Sequence, residues 1–208
     1  MAVAIPVGSY GGAFGAAAIS AGLDIWQTIA LSSLLFSGAS QFAIIGVIAS
    51  GGTALSAFLA GTLLGIRNGF YALRMAPLLN LRGVKRLIAA HITIDESTAV
   101  ALAQDQSDLI SVRKGFWFTG FGVYLFWNLF TILGALSASL LENPSQWGLD
   151  SAVPAAFLAL LWPQLTNSKL RLIALLAMAM ALLLSPLLTP GLPIIAVVLI
   201  AIIAGWKR

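Results

Sequence analysis

Positive charge in this chain is confined almost entirely to the connections between long apolar segments. There are eleven Lys and Arg residues. Nine of them (Arg82, Lys85, Arg86, Arg113, Lys114, Lys169, Arg171, Lys207 and Arg208) fall in connections that a simple alternating topology places on one face of a membrane. Lys and Arg are retained on the cytoplasmic side of a bilayer, so this split sets an orientation. The other two, Arg67 and Arg74, lie inside an apolar segment. An ionised side chain within a span is costly, and such a residue is a functional candidate by default. The chain is 60% hydrophobic and 9% charged. Soluble domains carry about 25% charged residues, so these values define an integral membrane protein.

Several function classes drop out at once. The formal charge of +4 does not point to nucleic acid, because the charges sit at membrane borders and not in one patch. The absence of cysteine excludes disulfides and thiolate metal sites. One histidine, His91, leaves no room for a multi-histidine metal cluster, so no metal and no cofactor is expected. The first residues lack the basic region of a cleavable signal and run straight into apolar sequence.

A helix needs about 20 apolar residues to cross the hydrocarbon. The candidates run over 2–21, 26–50, 53–79, 115–141, 152–166, 170–188 and 191–206. The expected fold is therefore all-α: one domain over 1–208, a polytopic membrane helix bundle of about seven spans. The segment 152–166 is short and carries Pro154 and Pro163, so a break or tilt is expected there. With 80–114 on the cytoplasmic side, the connection 142–151 is external and the C-terminus is cytoplasmic. The N-terminus then falls outside, unless Gly8, Gly11, Gly12 and Gly15 make the first segment re-entrant. The stretch 84–104 is long enough for a helix but carries Lys85, Arg86, His91, Asp95 and Glu96, and reads as a cytoplasmic or re-entrant amphipathic helix. Gly22-Leu23-Asp24 recurs as Gly148-Leu149-Asp150 on what the topology makes opposite faces. That is a candidate inverted repeat, the arrangement that places a transporter site near the midplane.

Arg67 lies twelve residues before Leu79, about 18 Å of helix from that end. Arg67, Tyr71 and Arg74 share a face at spacings of four and three. A guanidinium there either clamps a carboxylate in a two-pronged geometry or locks helices together through an internal ion pair. His91, Asp95 and Thr98 share a face on the next helical stretch, with Glu96 turned away by about 100°. An acid beside a membrane cavity can carry a proton; the alternative is a solvated acidic turn. Gly61, Gly65 and Gly69 make a smooth groove for close helix packing, within the chain or against a second subunit. Ser37-Gly38-Ala39-Ser40-Gln41-Phe42 puts small polar groups and the Gln41 amide within the second span, suited either to a polar path or to interhelical hydrogen bonds. The six Trp, including Trp117, Trp147, Trp162 and Trp206, read as interfacial anchors. An enzyme is not expected: Gly38-Ala39-Ser40-Gln41-Phe42 lacks the closing glycine of a nucleophile elbow, and no pair of acids lies deep in the spans.

Taken together, Ser37-Gly38-Ala39-Ser40-Gln41-Phe42, Ile66-Arg67-Asn68-Gly69-Phe70-Tyr71, Thr93-Ile94-Asp95-Glu96 and, more loosely, Gly148-Leu149-Asp150 with Pro154-Ala155-Ala156-Phe157 resemble the AzlC/YgaZ family, the large subunits of branched-chain amino acid exporters. The chain departs from the family motif at Gly65, where a polar residue is usual, and at Asn68, where a histidine is usual. The resemblance implies proton-coupled secondary export of branched-chain or other hydrophobic amino acids across the cell (inner) membrane. It also implies a small membrane partner of the AzlD/YgaH type. Under it, Arg67, Gln41, Tyr71 and Asn68 are the substrate-binding candidates, and Asp95, Glu96 and His91 the proton-coupling ones. Two other functions stay open: an assembly subunit whose partner supplies the path, and a channel for small neutral solutes.

Overall fold

The computed structural model describes residues 2–141, 146 and 151–206. Among these residues the chain is all-helical. Ten α-helices follow in order: α1 (Ala4–Ser20), α2 (Ile25–Leu34), α3 (Gly38–Ala49), α4 (Ala54–Leu79), α5 (Gly83–His91), α6 (Asp95–Leu102), α7 (Leu109–Ser139), α8 (Ala152–Leu161), α9 (Ser168–Leu184) and α10 (Leu192–Trp206). Of the described helices, α7 is the one long and apolar enough by itself to cross a membrane. A short 3₁₀ turn, Trp162–Gln164, follows α8 where Pro163 interrupts the segment. The second copy of the Gly-Leu-Asp triplet, 148–150, lies outside the described residues, as do 142–145, 147 and the terminal 207–208.

α1 and α7 form the spine. Gly8, Gly11 and Gly15 line one stripe of α1, and a Cβ on any of them would run into α7: onto Phe126, the Trp127 carbonyl and the Thr131 carbonyl respectively. Gly134 of α7 returns the fit against the backbone of Gly12. Small residues let two helix backbones touch, and dispersion replaces the hydrophobic drive that lipid removes. The glycines that raised a re-entrant first segment therefore serve a continuous 17-residue helix seated on α7.

Two of the other expected helices meet a break. The segment 26–50 divides into α2 and α3 at Leu35–Ser37, and 84–104 divides into α5 and α6 at Ile92–Ile94. A break within apolar surroundings leaves backbone carbonyls without partners, and these must be satisfied. Gln41 does this at the first break. Its Nε2 donates to the Leu35 carbonyl at 2.6 Å and the Ser32 carbonyl at 3.3 Å, while Oε1 accepts from Trp127 Nε1 at 2.9 Å. Ser97 and Thr93 do it at the second. Ser97 Oγ donates to the Ile92 carbonyl at 2.9 Å and accepts from the Ile94 N–H at 3.0 Å, and Thr93 Oγ1 donates to the Ala89 carbonyl at 2.6 Å.

α5 and α6 make a hairpin that leaves and re-enters the same end of the bundle. It begins just after α4 ends at Asn80, whose left-handed backbone (φ 47°) turns the chain. It returns to the start of α7, where Arg113 Nε donates to the Leu78 carbonyl of α4 at 3.1 Å. Packing of α6 along α7 places Val100 and Gln104 beside Gly115 and Ile92 beside Gly120. The hairpin tip thus stands near the middle of the 31-residue α7. The connection back to α7 is polar and exposed. The Ser107 N–H and hydroxyl donate to Asp105, and Ser111 donates to Asp108, which holds both carboxyls below the usual carboxylate range.

Gly22-Leu23-Asp24 has a local role. Gly22 turns the chain with φ 93°, and Asp24 caps α2 by accepting from the Gln27 N–H at 2.7 Å, while the Gln27 side chain accepts from the Asp24 N–H. That reciprocal arrangement satisfies two donors that a helix start would otherwise leave open.

Candidate functional site

The two breaks meet. Phe36, in the first break, contacts His91 at the end of α5 (ring centroids 6.2 Å apart) and Tyr124 of α7 (5.0 Å). His91 and Tyr124 contact each other at 5.6 Å, and the Tyr124 hydroxyl donates to the Ser33 carbonyl of α2 at 3.3 Å. Beside this cluster lies a cavity of ≈ 150 Å³. Its apolar wall is Phe36, Phe42, Ile94, Val123 and Trp127, all buried. Phe14 backs that wall, edge-on to Phe42 at 5.8 Å and stacked with Trp127 at 6.3 Å. A cavity of this size in an apolar wall holds a benzene-sized group.

The other wall is charged. Arg67 of α4 and Asp95 and Glu96 of α6 line the same cavity. Arg67 Nη2 stands 3.5 Å from Asp95 Oδ1, the one ion pair among the described residues, and both side chains are about two-fifths exposed. The pairing is through one nitrogen, so the guanidinium fork is not filled. Arg67 Nε is buried with no hydrogen-bond partner, and so are Asn68 Oδ1 and Thr98 Oγ1. These three atoms are the buried, unpartnered side-chain polar atoms of the described residues, and all belong to α4 and α6. Native interiors leave few such groups; of the three, only Arg67 belongs to the cavity lining.

Helix ends add to the field. α3 starts at Gly38, which lines the cavity with Ala39. Ser37 precedes it but does not cap it, because its hydroxyl is engaged with Ser40 Oγ at 3.0 Å. The first N–H groups of α3 are thus uncapped at the cavity wall, and an uncapped helix start attracts an anion. A Cβ at Gly38 would press on the Trp127 ring at 2.9 Å, so the close approach needs glycine. α6 also starts at the cavity, with Asp95 and Glu96 in its first turn, where acids are favoured.

The residues singled out from sequence separate into three groups. Arg67, Asp95 and Glu96 converge on the cavity. Gln41 is fully buried behind the wall, its amide spent on the break and on Trp127. His91 falls on α5 and not on the helix of Asp95, because the break intervenes; it packs with Phe36 and Tyr124. Asn68 and Tyr71 lie next to Arg67 on α4 but outside the cavity lining. The glycine groove divides too. A Cβ at Gly61 would strike Ile44 and one at Gly65 would meet Ser40 Oγ at 3.2 Å, both on α3, whereas Gly69 faces open space. Sequence reasoning missed the aromatic wall. Trp127 in particular is a buried hydrogen-bonding residue at the site and not an interfacial anchor. The alternating aromatics of 116–130 were the available signal, but they look the same whether they face lipid or a cavity.

The fold and this site define a class: a helical membrane protein whose discontinuous helices gather a charged cluster and an apolar wall around one cavity. Residues 2–141 match the family model described as AzlC protein. The chain belongs to the AzlC family. It is 31% identical over 162 residues to a protein of Archaeoglobus fulgidus described as an uncharacterized membrane protein, covering 76% of this chain and 69% of that relative. No solved structure matches the chain.

Proposed function

We infer that the chain is the large subunit of a proton-coupled exporter of branched-chain or other hydrophobic amino acids. The observation that carries this reading is the cavity lined by Arg67 on one side and by Phe36, Phe42, Val123 and Trp127 on the other. A hydrophobic amino acid presents a carboxylate beside an apolar side chain. Arg67 binds the carboxylate through guanidinium nitrogens that Asp95 leaves unpaired, assisted by the uncapped start of α3, and the aromatic wall takes the side chain. Few precise polar groups in a mostly apolar pocket is the usual composition of a small-molecule site.

The reading includes a small membrane partner. The outer face of α4 exposes Phe58, Ile66, Phe70 and Leu73, and beside it the Arg67–Asp95 pair is only half covered. A charge pair cannot face hydrocarbon without a large cost, so this side of α4 favours a covering helix over lipid. Transport of labelled leucine, valine, isoleucine and methionine into inverted vesicles, with and without the partner, tests the reading. Saturable flux that responds to a pH gradient and requires both chains is expected. Flux that does not saturate and ignores pH supports a channel, and flux that survives loss of this chain makes it an assembly subunit.

A further inference from the structure

Arg67 answers for one end of an amino acid only. The α-nitrogen and the carboxylate carbon of an amino acid are about 2.5 Å apart by standard covalent geometry. The group that reads the ammonium must therefore be a close neighbour of the one that reads the carboxylate. Two acids qualify. Asp95 is already held at 3.5 Å by Arg67. Glu96, the next residue, lines the cavity together with Asp95 and Arg67.

Other ionisable groups around Glu96 are few. α4 contributes Arg67, α1 contributes Tyr10 at the cavity rim, and α6 itself contributes Asp95. α3, α7 and α8 present only uncharged side chains to the cavity: Gly38, Ala39 and Phe42, then Val123 and Trp127, then Ala159. His91 and Tyr124 are occupied with Phe36 beside the cavity. With both acids ionised, one arginine and two carboxylates leave the cluster one negative charge in excess. A zwitterion adds no net charge, since its carboxylate goes to Arg67; its ammonium end, or a proton, supplies the cation that the second carboxylate lacks.

We propose that Glu96 is the ammonium-binding group of this site and that substrate ammonium and proton exclude each other there, a proposal that rests on the amino-acid reading above. A protonated Glu96 has no charge for the ammonium, so a zwitterion binds only as the Glu96 proton leaves to water. When the amino acid departs, a proton returns. Substrate and proton then occupy one group in turn, and the linkage has the sign of exchange: protons run one way and amino acids the other. Asp95 keeps Arg67 oriented and is a positioning residue.

The test uses membranes of cells that express the chain with its small partner. Equilibrium binding of leucine and of 4-methylpentanoate, which has the same carbon skeleton and no amine, is measured from pH 8 to pH 5.5. Leucine affinity should weaken by about tenfold per pH unit once Glu96 titrates, as one exchanged proton requires. 4-Methylpentanoate, read through Arg67 alone, should show no such loss. Glu96→Gln, which keeps the shape and mimics the protonated acid, should bind leucine weakly at every pH, at the acid limit of the wild type, with a flat profile, and should still bind 4-methylpentanoate. Leucine binding that is flat or tightens with acid in the wild type overturns the proposal. So does an equal acid loss for 4-methylpentanoate, or a Glu96→Gln variant that keeps the wild-type slope. If neither compound binds at any pH, the amino-acid reading itself falls.

Discussion

Arg67 shows what single residues contribute here. Its guanidinium lies twelve residues from the end of α4 and touches Asp95 through one nitrogen. A lysine there keeps the charge and loses the planar fork. Arg67→Lys should leave the protein folded and weaken amino-acid binding by about tenfold or more, the worth of one charge-assisted hydrogen bond. Normal binding and transport by this variant would remove Arg67 from the substrate site. Arg67→Ala is the harsher change, because Asp95 is then left without its cation. If Asp95→Asn restores the yield that Arg67→Ala loses, the pair is structural as well. The pair was legible as two candidates because a charge in an apolar run stands out whatever its surroundings. Gln41 was legible as unusual, but its role was not: it bonds Trp127, 86 residues away, and no local pattern reports that.

At the level of elements, the chain advertises its helices and conceals their interruptions. Segment 26–50 carries its serines and Gln41 within a long apolar run, and the break at Leu35–Ser37 has no proline to announce it, Ser37-Gly38 being its one local turn signal. Ile92-Thr93-Ile94 is equally quiet. Both breaks exist because a side chain from the following helix reaches back to satisfy carbonyls. Gln41→Leu keeps bulk but strips the Ser32 and Leu35 carbonyls and the Trp127 N–H of their partner. The loss should be about 2–4 kcal/mol, at about 1–3 kcal/mol for each buried group left unsatisfied after partial relaxation. Thermal unfolding in detergent reads this directly, and an unchanged transition would show that the break is held by other means. The seam between α1 and α7 predicts a sharper failure. Gly15→Leu drives a side chain into the Thr131 carbonyl and should abolish the folded protein, whereas Gly69→Ala, which meets nothing, should fold normally. Yield of monodisperse protein separates the two.

For the molecule as a whole, charge placement argues orientation. The exposed connection holding Asp105, Ser107 and Asp108 joins the hairpin to α7 beside Arg113. Ser107→Cys should react in intact cells only with reagents that cross the membrane. Labelling by an impermeant reagent would reverse the topology and with it the side from which amino acid enters. Composition and apolar runs were enough to foresee an all-α membrane protein. They also raised a re-entrant segment over 84–104, but as one helix; the break at Ile92–Ile94 that divides it into α5 and α6 has no signal in the composition.

The backbone contact of α1 with α7 also limits how this molecule can change shape. Two helices meshed through Gly8, Gly11, Gly15 and Gly134 cannot slide or roll without raising one ridge over another, so they form a single stiff frame. Of the other elements around the cavity, α4 is continuous, whereas α3 and α6 are half-helices, each set off by a break and held there by a few hydrogen bonds. Under the transport reading, alternation between the two faces of the membrane is a movement of α2–α3 and of the hairpin tip against that frame, with Phe36 and His91 drawing apart. A cysteine pair at those two positions, once oxidised, should arrest flux and release it on reduction, while a covalent tie between α1 and α7 should cost nothing in turnover.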